Sequence, residues 1–540
     1  MRPITIRTPP TSETALLEVR MIRSFLTVSS GTLASRLLGF LRDSMIAALL
    51  GAGPIADAFL AAFQLINVIR RLLTEGALNA ALVPRWLRLR EIEGEAAAAR
   101  FAGRVLGTIS AVLLAGTLLI GLMMPLVIAA LAPGFSGTDT LQYAVNDARL
   151  MLPFLAFAGP ATVLLALASA QGRFVLTAFS PLLFNIALIA VMVALMLARA
   201  NAGAVALALA ATVGIAGLLQ LLVLATRSRG EKVATPMRPS FDADMRGFLA
   251  HALPGMVASS GPQLLAVAGA IIASTSPSAV AWLYFANRLM ELPLGIVGVA
   301  MGTVLVPELT RAVRSNDKGE ITHAESRALE LAVGLALPAM LGLMVLSESI
   351  VRLLFEHGAF TSVDTAATSH ALIWLALALP AHVMVKALSP AFFAREDTLA
   401  PLWATFKGLI VAILAAILFS HFFGASGIAA GIALGAWSNA FGLIRRGGET
   451  FGFSADATAR HRLPRIAASA LLMGALLWLA ARFAGAFAAD THRLAQAVIL
   501  MATIAGSIAI YGLCLTFFGV TAWRETVNAV RQGKPRDLRT

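Results

Sequence analysis

The sequence predicts an all-α polytopic membrane protein of about fourteen transmembrane helices, built as two six-helix lobes related by a parallel repeat, with two further helices at the C-terminal end. Three observations predict it. Of 540 residues, 58% are hydrophobic and 13% charged, with a mean hydropathy of +0.82, whereas a soluble domain carries about 25% charged residues. Apolar runs of about 20 residues, each able to cross about 30 Å of hydrocarbon as a helix, recur along the whole chain and leave no room for a sizeable soluble domain. Lys and Arg alternate between rich and poor connections, as a membrane topology requires.

Taken in order, residues 1–23 form a polar, Pro- and Thr-containing tail without the pattern of a cleavable signal. Apolar length and flanking charge then place spans at about 24–50, 55–82, 105–131, 148–171, 174–198, 203–226, 247–275, 279–306, 328–355, 367–393, 399–420, 425–444, 464–485 and 494–519. With the N-terminus inside, the even-numbered connections are basic. They carry Arg85, Arg88 and Arg90 after the second span, Arg227, Arg229 and Lys232 after the sixth, Arg311, Arg314 and Lys318 after the eighth, and Arg445, Arg446 and Arg460 after the twelfth. The odd-numbered ones, such as Gly51 to Ala56 and Gly134 to Asn146, are nearly free of Lys and Arg. Both termini are therefore expected on the cytoplasmic side.

The net charge of +13 is explained by that asymmetry, and no nucleic acid partner is expected. Cys514 is the single cysteine, which excludes an intramolecular disulfide, and the histidines lack metal-ligand spacing. No Gly-rich loop with a lysine is present to cradle a nucleotide phosphate. No cofactor is expected, and carboxylates in aqueous loops are too scarce to suggest an enzyme.

An internal repeat runs at an offset of 220–225 residues: Val83-Pro84 matches Val306-Pro307, Gly134-Phe135 with Asp139-Thr140 matches Ala359-Phe360 with Asp364-Thr365, and Arg173 before Pro181 matches Arg395 before Pro401. Six helices per unit gives both copies the same orientation. The expected organisation is an N-terminal tail (1–23), an N-lobe (24–226), a basic inter-lobe loop (227–246), a C-lobe (247–449), a C-terminal two-helix module (450–520) and a tail (521–540). The inter-lobe loop reads equally as solvated or as having an added role. Pro84 to Arg104 reads as an amphipathic surface helix or a solvated one.

Charges inside the first two spans and the eighth are the candidate functional residues, because a charge at mid-bilayer costs roughly 2.5–3.5 kcal/mol on insertion scales and faces a protein interior or a water-filled path. They are Arg36, Arg42, Asp43, Arg70, Arg71, Glu75, Arg288 and Glu291. Glu75 stands four residues after Arg71 and Glu291 three after Arg288, spacings at which side chains meet on one helix face. Arg42 and Asp43 diverge by about 100° and are not expected to neutralise each other. Arg36 and Arg42 diverge by about 120° unless the helix bends, so a kink or break is expected at Gly39. Five arginines face three acids, a surplus of two positive charges that a dianionic ligand would balance. Arginine suits phosphate, because its planar fork donates paired hydrogen bonds and keeps its proton. Lys386 and Lys407 either line the same path or reach to an interface.

At these residues the chain resembles a known family. Ser35-Arg36-Leu37-Leu38-Gly39-Phe40-Leu41-Arg42-Asp43, Gly51-Ala52-Gly53 through Asp57-Ala58-Phe59, Asn67-Val68-Ile69-Arg70-Arg71-Leu72 through Glu75-Gly76-Ala77, and Asn287-Arg288-Leu289-Met290-Glu291-Leu292-Pro293 closely resemble the MurJ (MviN) family of lipid II flippases. The resemblance implies a member of the multidrug/oligosaccharidyl-lipid/polysaccharide exporter superfamily. Such a protein moves undecaprenyl-diphosphate-linked peptidoglycan precursor across the bacterial inner membrane by alternating access. It further implies that Arg36, Arg42, Arg70 and Arg288 line a substrate cavity, that Asp57 matters, and that the last two helices hold the lipid tail. Contacts with the wall-synthesis machinery are a further implied partnership. Asn287 stands where the family often has an acid before the arginine. The alternative reading is an exporter of another polyprenyl-linked glycan.

Overall fold

The computed structural model describes residues 11–520 apart from 75–76, 229–232, 244, 251–260, 301–307, 309–310, 313–316, 394, 396, 398, 455 and 489–491. The described residues are helical nearly throughout and contain no strand. In chain order the helices are α1 (Thr11–Leu50), α2 (Pro54–Thr74), α3 (Ala77–Ile92), α4 (Glu95–Leu122), α5 (Met124–Leu131), α6 (Asp139–Met151), α7 (Pro153–Ala170), α8 (Phe174–Leu197) and α9 (Ala202–Ser228). They continue as α10 (Gly261–Ala273), α11 (Ala279–Ala300), α12 (Lys318–Val345), α13 (Ser347–Phe355), α14 (Ser362–Ala376), α15 (Leu379–Phe393), α16 (Leu399–Phe451), α17 (Ala457–Ala488) and α18 (Arg493–Phe517). Among the described residues, nine helical segments are long and apolar enough to cross a membrane.

Several expected spans are broken helices, and the breaks repeat. The span at 105–131 is α4 and α5, interrupted at Met123 (φ −90°, ψ 8°), whose amide still donates to the Leu119 carbonyl. Its counterpart, α12 and α13, is interrupted at Leu346 (φ −98°, ψ 9°), whose amide donates to Gly342. α6 and α7 divide ahead of Pro153, which takes the first helical position, where its missing N–H costs nothing. α14 and α15 divide at the matching place. α14 opens with a capping box, Thr361 accepting from the Asp364 amide and Asp364 accepting from the Thr361 amide at 2.9 Å. The expected spans at 399–420 and 425–444 are two arms of α16 joined at Gly424, whose φ of 53° and ψ of −131° suit glycine alone.

Of the kink or break expected at Gly39, the break is absent: α1 is one helix from Thr11 to Leu50. Gly39 is buried, and α1 packs along α8 closely enough that a methyl group at Gly31 would lie 2.9 Å from the Ala178 carbonyl oxygen. Gly31 thus serves the close approach of α1 to α8.

By contact clustering the chain divides into two units. The first comprises Met1–Leu50, Ala58–Ala130 and Ser136–Ser260, and the second Gly51–Asp57, Leu131–Phe135 and Gly261–Thr540. In the first unit a core of Leu82, Trp86, Phe101, Val105, Leu167 and Phe248 joins α3, α4, α7 and the chain after residue 245. Trp86 is buried, Arg85 covers the Phe101 ring at 5.1 Å and Arg90 the Trp86 ring at 5.4 Å, while Pro84, Arg88, Glu91 and Ile92 are exposed, so the segment from Pro84 packs one face into this core and leaves the other open, as an amphipathic helix does.

The described part of the inter-lobe loop runs against α4 with most of its side chains exposed. The Thr108 hydroxyl donates to the Ser240 carbonyl and accepts from the Ser240 amide, both at 2.9 Å. A methyl group at Gly103 would lie 2.3 Å from the Pro236 carbonyl oxygen, and one at Gly107 2.5 Å from the Arg238 carbonyl carbon. These two glycines, one turn apart on α4, form the notch in which residues 236–240 run. Arg104 pairs with Asp242 at 2.7 Å, and the Met245 amide, the Ser240 hydroxyl and Arg104 together hold the Asp242 carboxyl below its usual range.

In the second unit, Pro338 inside α12 has no N–H, so the Gly334 carbonyl loses its helical donor. Tyr511 of α18 supplies the replacement, its hydroxyl donating to that oxygen at 2.7 Å. Tyr511→Phe is expected to leave the part-buried Gly334 carbonyl without this donor and to cost about 1 kcal/mol. The thermal unfolding midpoint of the purified protein in detergent measures this, and an unchanged midpoint would mean that another donor takes the position.

Candidate functional site

The charged residues fall into two groups, one in each unit. In the first unit Arg42 is buried, and its neighbour Asp43 has no exposed surface. Arg42 Nε and Nη2 both donate to Asp43 Oδ1, at 2.9 and 2.6 Å. The expectation that these adjacent residues do not neutralise each other is thus overturned. The 100° divergence describes the Cα–Cβ directions, and the long Arg42 side chain curls back over it to present the edge of its guanidinium. Arg42 Nη1 donates to Asn185 Oδ1 of α8 at 3.0 Å, and Asn185 Nδ2 donates to the Ser35 carbonyl at 3.1 Å. Phe63 and Phe184 lie against the guanidinium at 5.1 and 5.7 Å, a placement that favours a cation over the ring faces. Asn185, Phe63 and Phe184 carried no signal in the sequence beyond one amide in an apolar run.

Arg36, six residues earlier on α1, is half-buried and forms no ion pair with any other described residue. Arg70 is half-buried and donates through Nη2 to Asn67 Oδ1 at 3.2 Å, one turn back on α2. Arg71 is half-buried beside it. Glu75, and with it the expected Arg71–Glu75 pair, lies outside the described residues.

In the second unit Arg288 Nη1 donates to Glu291 Oε2 at 3.0 Å, the pairing that the spacing of three predicts. Asn287 Nδ2 reaches the other oxygen of Glu291 at 3.4 Å. A charge partner for Arg288 is therefore supplied from the following turn, although residue 287 is an amide. Asp57, almost fully buried, accepts from the Ala281 amide at 2.9 Å. Through the Ala281 amide it caps the start of α11, placing an acid where the helix presents unbonded N–H groups and positive potential. Lys386 is exposed on α15, and its ammonium lies against α11 at Gly298. Lys407 is exposed on α16. No group of three or more His, Cys, Asp or Glu side chains suited to a metal occurs among the described residues.

Among the described residues the arrangement offers arginine forks inside apolar helices, with acids that offset part of their charge. It suits holding an oxyanion within a membrane. The family model for the lipid II flippase MurJ matches residues 46–497. A probable lipid II flippase MurJ of Rhizobium meliloti (strain 1021) is 37% identical over 507 residues, 91% of this chain and 92% of the relative. The lipid II flippase MurJ of Burkholderia cenocepacia is 30% identical over 477 residues, 86% of this chain and 91% of the relative. Among solved structures, a lipid II flippase MurJ in an inward closed conformation superposes with a TM-score of 0.75 at 22% identity, covering 93% of this chain and all of that one. A multidrug-resistance MATE transporter of the MOP superfamily, inward-facing, superposes at 0.64 with 17% identity, over 80% of this chain and 95% of that one. The structural likenesses bear on the fold alone, whereas the family model and the sequence relatives together establish that this chain belongs to the MurJ family of lipid II flippases.

Proposed function

We propose that this multi-pass inner-membrane protein is a lipid II flippase, moving undecaprenyl-diphosphate-linked peptidoglycan precursor from the cytoplasmic to the periplasmic leaflet by alternating access. The observation that carries the reading is the set of arginines held within apolar helices, above all Arg36, which has no ion pair among the described residues. A diphosphate answers a surplus of guanidinium charge. Arg36, Arg70 and Arg288 are the proposed direct ligands. Arg42, whose guanidinium is already shared between Asp43 and Asn185, contributes its field and fixes α1 against α8. Asp43, Asp57, Arg71, Glu75 and Glu291 are supporting charges. Both termini are proposed to be cytoplasmic, and the two C-terminal helices to accompany the lipid tail.

Depletion in the native host, followed by an assay of precursor accessibility at the outer leaflet, tests the substrate. Lipid-linked peptidoglycan precursor should fail to appear outside. Normal appearance with no redundant flippase present would overturn the reading, and selective loss of another polyprenyl-linked glycan would replace it. In the same assay Arg36→Ala is expected to lower the rate roughly 10–150-fold, the equivalent of the 1.5–3 kcal/mol of a hydrogen bond to a charged group. Arg36→Lys should lose less, since it keeps the charge without the fork. Rates are compared at matched membrane levels of protein, and an undiminished rate for Arg36→Ala would remove this residue from the set.

A further inference from the structure

Helix α14 and the two arms of α16 enclose an apolar cavity of about 350 Å³, open on one side, that none of the charged residues above lines. Trp374 and Leu377 form one wall, Phe419 and Phe423 come from the first arm of α16, and Leu434 and Trp437 from the second. The arms themselves are in backbone contact, since a methyl group at Gly427 would lie 2.1 Å from the Phe419 carbonyl oxygen. That contact closes the floor between them.

The chemistry of the lining selects the occupant. No ionisable side chain lines the cavity, and its one side-chain hydroxyl belongs to Ser426. The Trp437 indole N–H is already given to the Leu377 carbonyl at 2.9 Å. A phosphate, sugar or peptide would find one hydroxyl there to replace its water, whereas a hydrocarbon chain loses nothing on entering. The surroundings are also hydrocarbon. The cavity lies within helices long and apolar enough to cross the bilayer, and around it Leu418, Phe422, Phe423 and Leu434 are exposed, Phe423 to 68%. At about 30 Å³ for a group the size of a water or methylene, the space takes roughly a dozen such groups, a good part of one fatty-acyl tail and a small fraction of a long polyprenyl chain.

We propose that this cavity, between α14 and the two arms of α16 that meet at Gly424, binds one fatty-acyl chain of a bilayer phospholipid. The chain wedges between α14 and the hairpin of α16 and completes their packing. The site is separate from the proposed substrate residues and does not depend on their role.

The test uses the full-length protein in membranes containing phosphatidylethanolamine with a diazirine on one acyl chain, followed by irradiation and mapping of the labelled peptides. The same experiment is run in parallel with a diazirine-bearing polyprenyl phosphate. Labelling by the phospholipid is expected to concentrate on the segments bearing Phe419, Phe423 and Trp437, above that of the exposed Phe441 on the same arm. Ala433→Phe, which fills the cavity from within, should reduce it at least about tenfold while leaving Phe441 labelling unchanged. Should that variant insert poorly, Phe423→Ala, at an exposed rim position, should redistribute label toward the cavity interior. Labelling no stronger than at Phe441, labelling unaffected by filling, or preferential labelling by the polyprenyl probe would each overturn the proposal.

Discussion

Arg42→Ala is expected to destabilise the protein by about 3–5 kcal/mol, the range for removing one partner of a buried ion pair. Asp43 has no exposed surface and takes both Nε and Nη2 of Arg42 on one oxygen. Without the arginine, its charge stays in an apolar setting with much less compensation. Asn185 loses a donor in the same step, and with it part of the link between α8 and α1. Arg42→Lys should recover little, since an ammonium cannot serve Asp43 and Asn185 together while stacking between Phe63 and Phe184. Arg42→Met combined with Asp43→Leu should recover most of the stability, because replacing both members of a buried pair with apolar groups is often neutral or better. The thermal unfolding midpoints of the purified proteins decide it. A curve for Arg42→Ala that overlays the parent's would show that the pair does not hold the helices.

Gly134→Val is expected to cost about 3 kcal/mol, the upper part of the range for overfilling a packed interior. A methyl group at Gly134 would lie 2.1 Å from the Ser274 carbonyl oxygen and 2.3 Å from its carbon. Both are backbone atoms, so no side-chain rotation relieves the overlap. The Gly134 amide also donates to Ser274 Oγ at 3.1 Å, and that bond would break as the segment moves away. Gly116→Ala provides the control: a methyl there meets nothing within 4 Å, and alanine in a helix interior is favoured over glycine by about 1 kcal/mol. Chemical denaturation in detergent should separate the two variants in opposite directions, and equal midpoints would contradict the close approach at Gly134.

Much of the helical layout was legible in the sequence because hydrocarbon length and loop charge act locally. The repeat was legible too, and it returns as matched helix breaks at Met123 and Leu346. The Arg288–Glu291 pair could be read from its spacing, since it lies along one helix face. Arg42–Asp43 could not, because helix angles follow Cβ and say little about a guanidinium several bonds farther out. Nor could the hydrogen bonds to Asn185, 143 residues from Arg42, or the notch at Gly103 and Gly107, whose purpose becomes visible only with residues 236–240 lying in it. A glycine in a helix permits a bend and also permits a neighbour to come close, as at Gly31, and the sequence does not distinguish the two.

The Asp57 cap has a consequence for biosynthesis. Its hydrogen-bond partner, the Ala281 amide, lies 224 residues downstream, and the partner of Gly134, Ser274, lies 140 residues downstream. At translation rates of about 5–20 residues per second, the Asp57 carboxylate waits roughly 10–45 s for the helix it caps. The segments Gly51–Asp57 and Leu131–Phe135 are thus inserted early but belong to a unit finished late. During that interval they must remain reachable by helices still emerging from the ribosome, so the order of insertion is part of what the sequence has to encode.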